Sequence, residues 1–185
     1  MGIIAVIIIF ICLCTDNMVI ANMSAMKMDL KTKSVFSIKA GFFFAGFNAL
    51  AFVFGYLFSM LFFRGYFVRA ANWIGFAFLL LLGIKYLLET VEKSPSFKEE
   101  EADDGKKMVR VAALTAAQFF LVGYPLELLG KGWFPQTLFL IIITFLMTVL
   151  GFHLGTKTSK SIFSKKIEFI AGLVLVVMSI RLIIL

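Results

Sequence analysis

Charge is scarce in this chain, and the scarcity excludes more than any motif includes. Only 16% of the 185 residues are charged, and a single His and two Cys are present. Cys12 and Cys14 stand at i and i+2, which points them to different faces of a helix and makes a disulfide between them geometrically unfavourable. With one His and one such pair, neither a disulfide framework nor a zinc site is built from these residues. The net charge of +7 is confined to short loops, so no basic surface exists for nucleic acid. A nucleophile with its base, a phosphate-binding Gly loop and a pair of catalytic carboxylates are all missing. The chain therefore reads as neither an enzyme nor the holder of a cofactor.

What is present is apolar. The chain is 61% hydrophobic with 23 Phe, and its mean hydropathy is +0.99; soluble domains are nearer about 45–50% apolar. Six apolar segments, at about 3–23, 38–62, 71–89, 109–129, 136–155 and 167–184, are each close to the roughly 20 residues that a bilayer requires. The fold expected is an all-α membrane protein of six transmembrane helices. The segment 3–23 lacks a basic n-region and a small-x-small cleavage motif, so it is read as a retained helix and not as a signal peptide.

Lys and Arg are unevenly placed. Thirteen lie in or beside the connections after the first, third and fifth segments, and four (Arg64, Arg69, Lys131 and Arg181) lie on the other side. The positive-inside bias puts the odd connections in the cytoplasm and both termini outside. Lys85 and Arg181 sit near segment ends and are read as snorkelling to the interface. Residues 93–108, with Ser94-Pro95-Ser96 and the acidic run Glu99 to Asp104, are expected to form a charged cytoplasmic linker. It separates a first three-helix repeat (1–92) from a second (109–185).

The halves resemble each other. An offset of 96 brings Trp73-Ile74-Gly75-Phe76 onto Phe169-Ile170-Ala171-Gly172, Gly55 onto Gly151, Asn48 onto Thr144 and Phe52 onto Thr148. An offset of 102 brings Leu13-Cys14-Thr15-Asp16 onto Thr115-Ala116-Ala117-Gln118. Three helices is an odd number, so two such repeats must be inverted with respect to the membrane, an arrangement that places substrate near the midplane where repeats meet.

Within this frame Asp16 stands out. It follows an uncharged run from Ile3 to Ile11 and is the one acid deep inside an apolar segment; Glu89, Glu127 and Glu168 fall near segment ends. A carboxylate in hydrocarbon costs about 2.5–3.5 kcal/mol on insertion scales. It either faces water, protein or an ion, or is neutral and hydrogen-bonded to another helix. Counted from the inner helix ends at about 1.5 Å per residue, Asp16, Asn48, Gln118 and Thr148 all lie roughly 10–15 Å below the cytoplasmic edge. Asn17, Thr15 and Thr144 are near the same level. These groups are either ordinary interhelical hydrogen bonds or the lining of one polar cavity, whose hard oxygens suit Mg²⁺, Mn²⁺ or Ca²⁺. The expected ion-binding set is Asp16, Asn17, Asn48, Gln118, Thr144 and Thr148, with Asp16 as the metal ligand. Cys12 and His153 are read as packed and interfacial.

Four short motifs carry a resemblance. They are Cys14-Thr15-Asp16-Asn17, Asn72-Trp73-Ile74-Gly75-Phe76 with Leu82-Gly83, Thr148-Val149-Leu150-Gly151, and Lys165-Lys166-Ile167-Glu168 with Ala171-Gly172-Leu173-Val174-Leu175. Their order and spacing resemble the MntP-type manganese efflux pump family, within the broader lysine-exporter superfamily. The resemblance implies six helices in two repeats, a place in the cell membrane, and export of Mn²⁺. The family pattern has acids where this chain has Asn48 and Gln118, and a Pro where it has Phe52. Of the three intramembrane acids only Asp16 matches. The function expected is divalent-cation export by secondary transport with an incomplete set of acids. The alternative is a non-transporting or substrate-switched protein of the same fold that acts through a partner or lipid. Thiol-electron transfer, also found in the superfamily, needs cysteines on separate elements, and here both lie on one helix. The oligomeric state is not legible.

Overall fold

The structure is a computed structural model, and it describes residues 3–25, 30–62, 71–91, 105–128, 132–155 and 161–184. Among these residues every element is helical: α1 (Ile3–Leu13), α2 (Thr15–Ala25), α3 (Leu30–Phe62), α4 (Ala71–Val91), α5 (Gly105–Leu128), α6 (Trp133–Leu154) and α7 (Ser161–Ile184). Residues 93–104 of the expected linker (93–108) and the short connections lie outside the described residues, and 105–108 form the start of α5.

Elements α1 and α2 form one run, Ile3–Ala25, interrupted at Cys14. The helical ladder runs through this point: the Cys14 amide donates to the Phe10 carbonyl at 2.9 Å and the Met18 amide to the Cys14 carbonyl at 3.1 Å. Thr15 also bonds its Oγ1 to the Ile11 carbonyl at 3.3 Å, a local side-chain bond that competes with the ladder, and Asp16 follows in the first turn of α2.

Five runs are long and apolar enough to cross a membrane: Ile3–Ala25, Ser34–Leu61, Asn72–Thr90, Val109–Leu126 and Trp133–Leu154. The sixth expected span, α7, has 24 residues but carries Lys165, Lys166 and Glu168 at one end and Arg181 at the other. The first run is the centre of the bundle: 67% of its apolar stretch is buried, against 28% for α4 and α6. Outward faces are apolar, as Leu50, Phe54, Leu57 and Leu61 on α3 and Leu138, Ile142, Leu146 and Leu150 on α6 illustrate. Hydrocarbon tolerates such faces and water does not.

Helices are not packed in chain order. The most extensive pairs are α3 with α5, α4 with α7, α3 with α6 and α2 with α6; α2 barely touches α3, its neighbour in sequence. Small residues allow the close crossings, as in other membrane bundles. A Cβ on Gly55 of α3 would strike the Phe120 carbonyl of α5, and a Cβ on Gly151 of α6 would strike the Met18 carbonyl of α2. The apolar core joins Ile9, Phe10 and Leu13 of α1 to Phe52, Phe119, Leu140 and Leu175. In it Phe10 meets Phe52 edge to face with ring centroids 5.6 Å apart.

Candidate functional site

The polar centre of the molecule forms around the interruption at Cys14. All six residues expected to bind an ion are buried; Asn17, Asn48, Thr144 and Thr148 are completely enclosed, and Asp16 is 2% exposed. They do not all play one part. Gln118 of α5 donates Nε2 to the Leu13 carbonyl at 3.1 Å. Tyr86 of α4 points its hydroxyl at the same carbonyl, 3.2 Å away, and at Gln118 Oε1, 3.3 Å away. Gln118 and Tyr86 thus hold the interruption in place from two other helices. Thr144 of α6 meets Cys14 Sγ at 3.2 Å, and Thr148 donates to the Thr144 carbonyl at 2.8 Å. These threonines serve as interhelical and local hydrogen bonds.

The amides of Asn17 and Asn48 differ. Both atoms of each side chain are enclosed with no hydrogen-bond partner in the structure. Buried polar groups are nearly always paired, and an unpaired one costs about 1–3 kcal/mol. Each of these two amides keeps an oxygen and a nitrogen available to a water or an ion. Asn22 Oδ1 and Ser24 Oγ, further along α2, are likewise enclosed and unpartnered.

Asp16 has a charged neighbour that the sequence did not announce. Lys85 Nζ of α4 stands 3.9 Å from Asp16 Oδ2 and 3.7 Å from Glu89 Oε1. Lys85 is half-exposed, and its ammonium lies beside both acids. The signal was in the sequence: Lys85 and Glu89 are four apart on one helix, the spacing at which opposite charges meet. Tyr86 was also missed; it is one of the largest completely buried side chains.

The cysteines are free and buried, and among the described residues no group of three or more His, Cys, Asp or Glu is placed to hold a metal ion. The buried interior thus holds one carboxylate, Asp16, with Lys85 beside it, and the two unpartnered amides of Asn17 and Asn48. An apolar pocket lined by Ile9, Gly75, Leu79, Val122, Pro125 and Leu126 lies elsewhere in the bundle and has no polar group to offer.

The family described as "Putative manganese efflux pump" matches residues 29–183. The chain is 29% identical over 148 residues to the putative manganese efflux pump MntP of Crocosphaera subtropica, covering 80% of this chain and 78% of the relative. It is 26% identical over 192 residues to putative manganese efflux pump MntP 2 of Clostridium botulinum, covering 98% and 94%. It is 31% identical over 150 residues to the MntP of Syntrophobacter fumaroxidans, covering 72% and 79%. No solved structure matches. Several long apolar helices around a buried carboxylate, and a match over most of the chain, lead to one conclusion: the protein belongs to the MntP family of manganese efflux pumps.

Proposed function

We propose that the protein exports a divalent cation, Mn²⁺ or one of similar hardness, by secondary transport, with Asp16 as its deep charged ligand. The observation that carries this is Asp16 itself. It is a carboxylate, 2% exposed, at the interruption of the most buried span. Intramembrane acids mark ion pathways by default. Asn17 and Asn48 add unpartnered oxygens of the hard type such a cation prefers. Gln118, Thr144 and Thr148 complete the polar wall, mostly as structural bonds.

The inverted-repeat reading fits this function, and two observations support it. Exchanging the halves turns the α2–α6 pair into α5–α3, and both are among the most extensive contacts. The offset of 96 relates Gly55 to Gly151, and the offset of 102 relates Phe120 to Met18; these are the partners in the two glycine crossings. On this reading residues 1–92 and 109–185 are the repeats and α7 is the sixth span. Both termini then lie outside, and 93–108 lies in the cytoplasm. A lone Cys introduced as Ser96→Cys, with Cys12 and Cys14 replaced, should react only with a membrane-permeant reagent. Labelling by an impermeant reagent from outside would reverse the orientation.

A second reading is a substrate-switched or non-transporting member. It is favoured by Gln118, which is committed to the Leu13 carbonyl where the family pattern has an acid. Efflux of Mn²⁺ from loaded vesicles separates the two. Export by the native chain that disappears in Asp16→Asn supports the first, and no export by a well-folded native chain leaves the second.

A further inference from the structure

Tyr86 of α4 is fully enclosed, and its ring belongs to the apolar core around α1. Gly172 of α7 makes the room for it: a Cβ there would stand 3.0 Å from the Tyr86 Cβ. A ring packed to that density cannot swing, so the freedom left to the side chain is rotation of its O–H about the C–O bond. That hydroxyl faces three acceptors. The Leu13 carbonyl is 3.2 Å away and Gln118 Oε1 is 3.3 Å away, and the Asp16 carboxylate is its third partner. A hydroxyl has one proton to give, so it cannot serve all three at once. Both neutral contacts are longer than the roughly 2.5–3.0 Å usual for O–H···O, and the Leu13 carbonyl already receives Gln118 Nε2 at 3.1 Å.

The anion is the strongest of the three acceptors, because a hydrogen bond to a charged group is worth about twice a neutral one. The order changes when a cation takes up the Asp16 charge. The carboxylate lone pairs then point at the metal, and the two neutral acceptors become the better partners. We propose that Tyr86 is a positioning residue that reads the occupancy of Asp16: its O–H is directed at the carboxylate in the empty protein and turns to the Leu13 carbonyl and Gln118 when a divalent cation binds. No proton is transferred and the ring stays in place. The proposal rests on the cation-export reading and deepens it, because the turn carries occupancy from Asp16 to the α1–α2 junction and to α5. The sign of its effect follows. Tyr86→Phe takes a charge-assisted bond from the empty protein and a neutral one from the loaded protein, so it should tighten Mn²⁺ binding by about three- to tenfold. A hydroxyl that only braced the junction would leave binding unchanged or weaken it. The Lys85 ammonium, 3.9 Å from Asp16 Oδ2, is a separate, charged contact that the substitution does not remove.

The test uses the full chain in lipid nanodiscs with MnCl₂ as probe and isotope-labelled tyrosine rings. Infrared difference spectra with and without Mn²⁺ report the phenol C–O stretch, which moves with the hydrogen bond of the hydroxyl. The chain has four Tyr. Mn²⁺ should shift a single tyrosine band in the native chain. The shift should persist in Tyr56→Phe and in Tyr124→Phe, and vanish in Tyr86→Phe and in Asp16→Asn. Native Mn²⁺ binding that leaves every tyrosine band unmoved overturns the proposal without needing any variant to fold. Unchanged or weaker Mn²⁺ binding by a Tyr86→Phe chain that melts as the native one does overturns it too, and leaves the export reading standing. A native chain that binds no Mn²⁺, or binding that survives Asp16→Asn unchanged, overturns the export reading of Asp16 and this proposal with it.

Discussion

On the proposed repeat alignment Asp16 and Gln118 match one another, and their surroundings in the structure differ. Gln118 is closed: its nitrogen donates to the Leu13 carbonyl at 3.1 Å and its oxygen faces the Tyr86 hydroxyl at 3.3 Å. Asp16 is the charged member of the pair, with the half-exposed Lys85 ammonium 3.9 Å from its carboxylate. Gln118 holds helices together, and Asp16, on the proposed function, is the charge that a cation meets. Neutral interhelical bonds in membranes are worth roughly 0.6–2 kcal/mol, whereas removing one partner of a buried ion pair costs about 3–5 kcal/mol. The difference in kind should be visible as a difference in what each substitution destroys.

The largest effect should come from Asp16→Asn. Loss of the deep charge should lower Mn²⁺ efflux from vesicles by at least about 100-fold, the equivalent of about 3 kcal/mol of lost stabilisation. Gln118→Ala should instead lower thermal stability, by about 1–2 kcal/mol for the interhelical bonds it removes, with residual efflux in whatever protein remains folded. Efflux that survives Asp16→Asn, or that vanishes in a stable Gln118→Ala, would break the comparison.

Next in size are the crossings that hold the two halves against each other. Gly55→Ala and Gly151→Ala each drive a methyl into a backbone carbonyl, and overpacking of this kind costs about 1–3 kcal/mol or more. Gly46 is the control, because nothing lies within 4 Å of a Cβ added there. Gly46→Ala should leave the melting temperature where it is or raise it slightly, since Ala favours helix over Gly. If Gly55→Ala and Gly151→Ala have unequal costs, the two crossings are not equivalent, and the repeat symmetry is weaker than their partners imply.

The fold was legible because membrane helices leave a strong signal. Six apolar runs stood out, and the helices found differ mainly at their ends: α3 begins at Leu30 although its apolar run begins near 38. The interruption at Cys14 was not legible, because Thr15-Asp16-Asn17 reads equally as a polar patch on a straight helix. The candidate site was legible in part. Hydropathy singles out Asp16 and a count of depth singles out Asn48 and Gln118, and all three are buried in the structure. Counting depth gives height along the membrane and not direction around a helix, so it does not separate a satisfied Gln118 from an unsatisfied Asn48. Lys85 and Glu89 looked interfacial because position near a segment end is ambiguous; only packing shows α4 delivering them to Asp16.

That distinction sharpens what added acids should do. Asn48→Glu places a carboxylate where an amide has no partner, and it should raise Mn²⁺ affinity by about tenfold, the worth of about 1.4 kcal/mol. Gln118→Asp should give less. It removes the nitrogen that serves the Leu13 carbonyl and sets a negative oxygen against it, which raises the new group's own proton affinity. The double variant should bind no better than Asn48→Glu alone. A large further gain from Gln118→Asp would mean that Gln118 is free to turn toward the cation, and the contrast between the halves would be one of residue type only.

The smallest effect concerns an amide with nothing to hold. Asn48 is completely buried, and both atoms of its amide lack a partner. Leu is close to Asn in reach and brings no polar atom. If the site exists for a ligand, the empty protein carries the desolvation cost of that amide and gains nothing from it. Asn48→Leu should therefore stabilise the metal-free protein, by about 1 kcal/mol, while weakening Mn²⁺ binding. Thermal unfolding in the presence of a chelator reads the first effect, and the shift of unfolding with added MnCl₂ reads the second. Thr144→Val supplies the contrast, since Thr144 has a partner in Cys14 and its loss should lower stability in both conditions. If Asn48→Leu also destabilises the chelated protein, the amide is held by the fold and is part of the glue, as Gln118 is. Stabilisation without metal, coupled to a smaller shift with it, is the signature of a residue kept for its ligand at the expense of the fold.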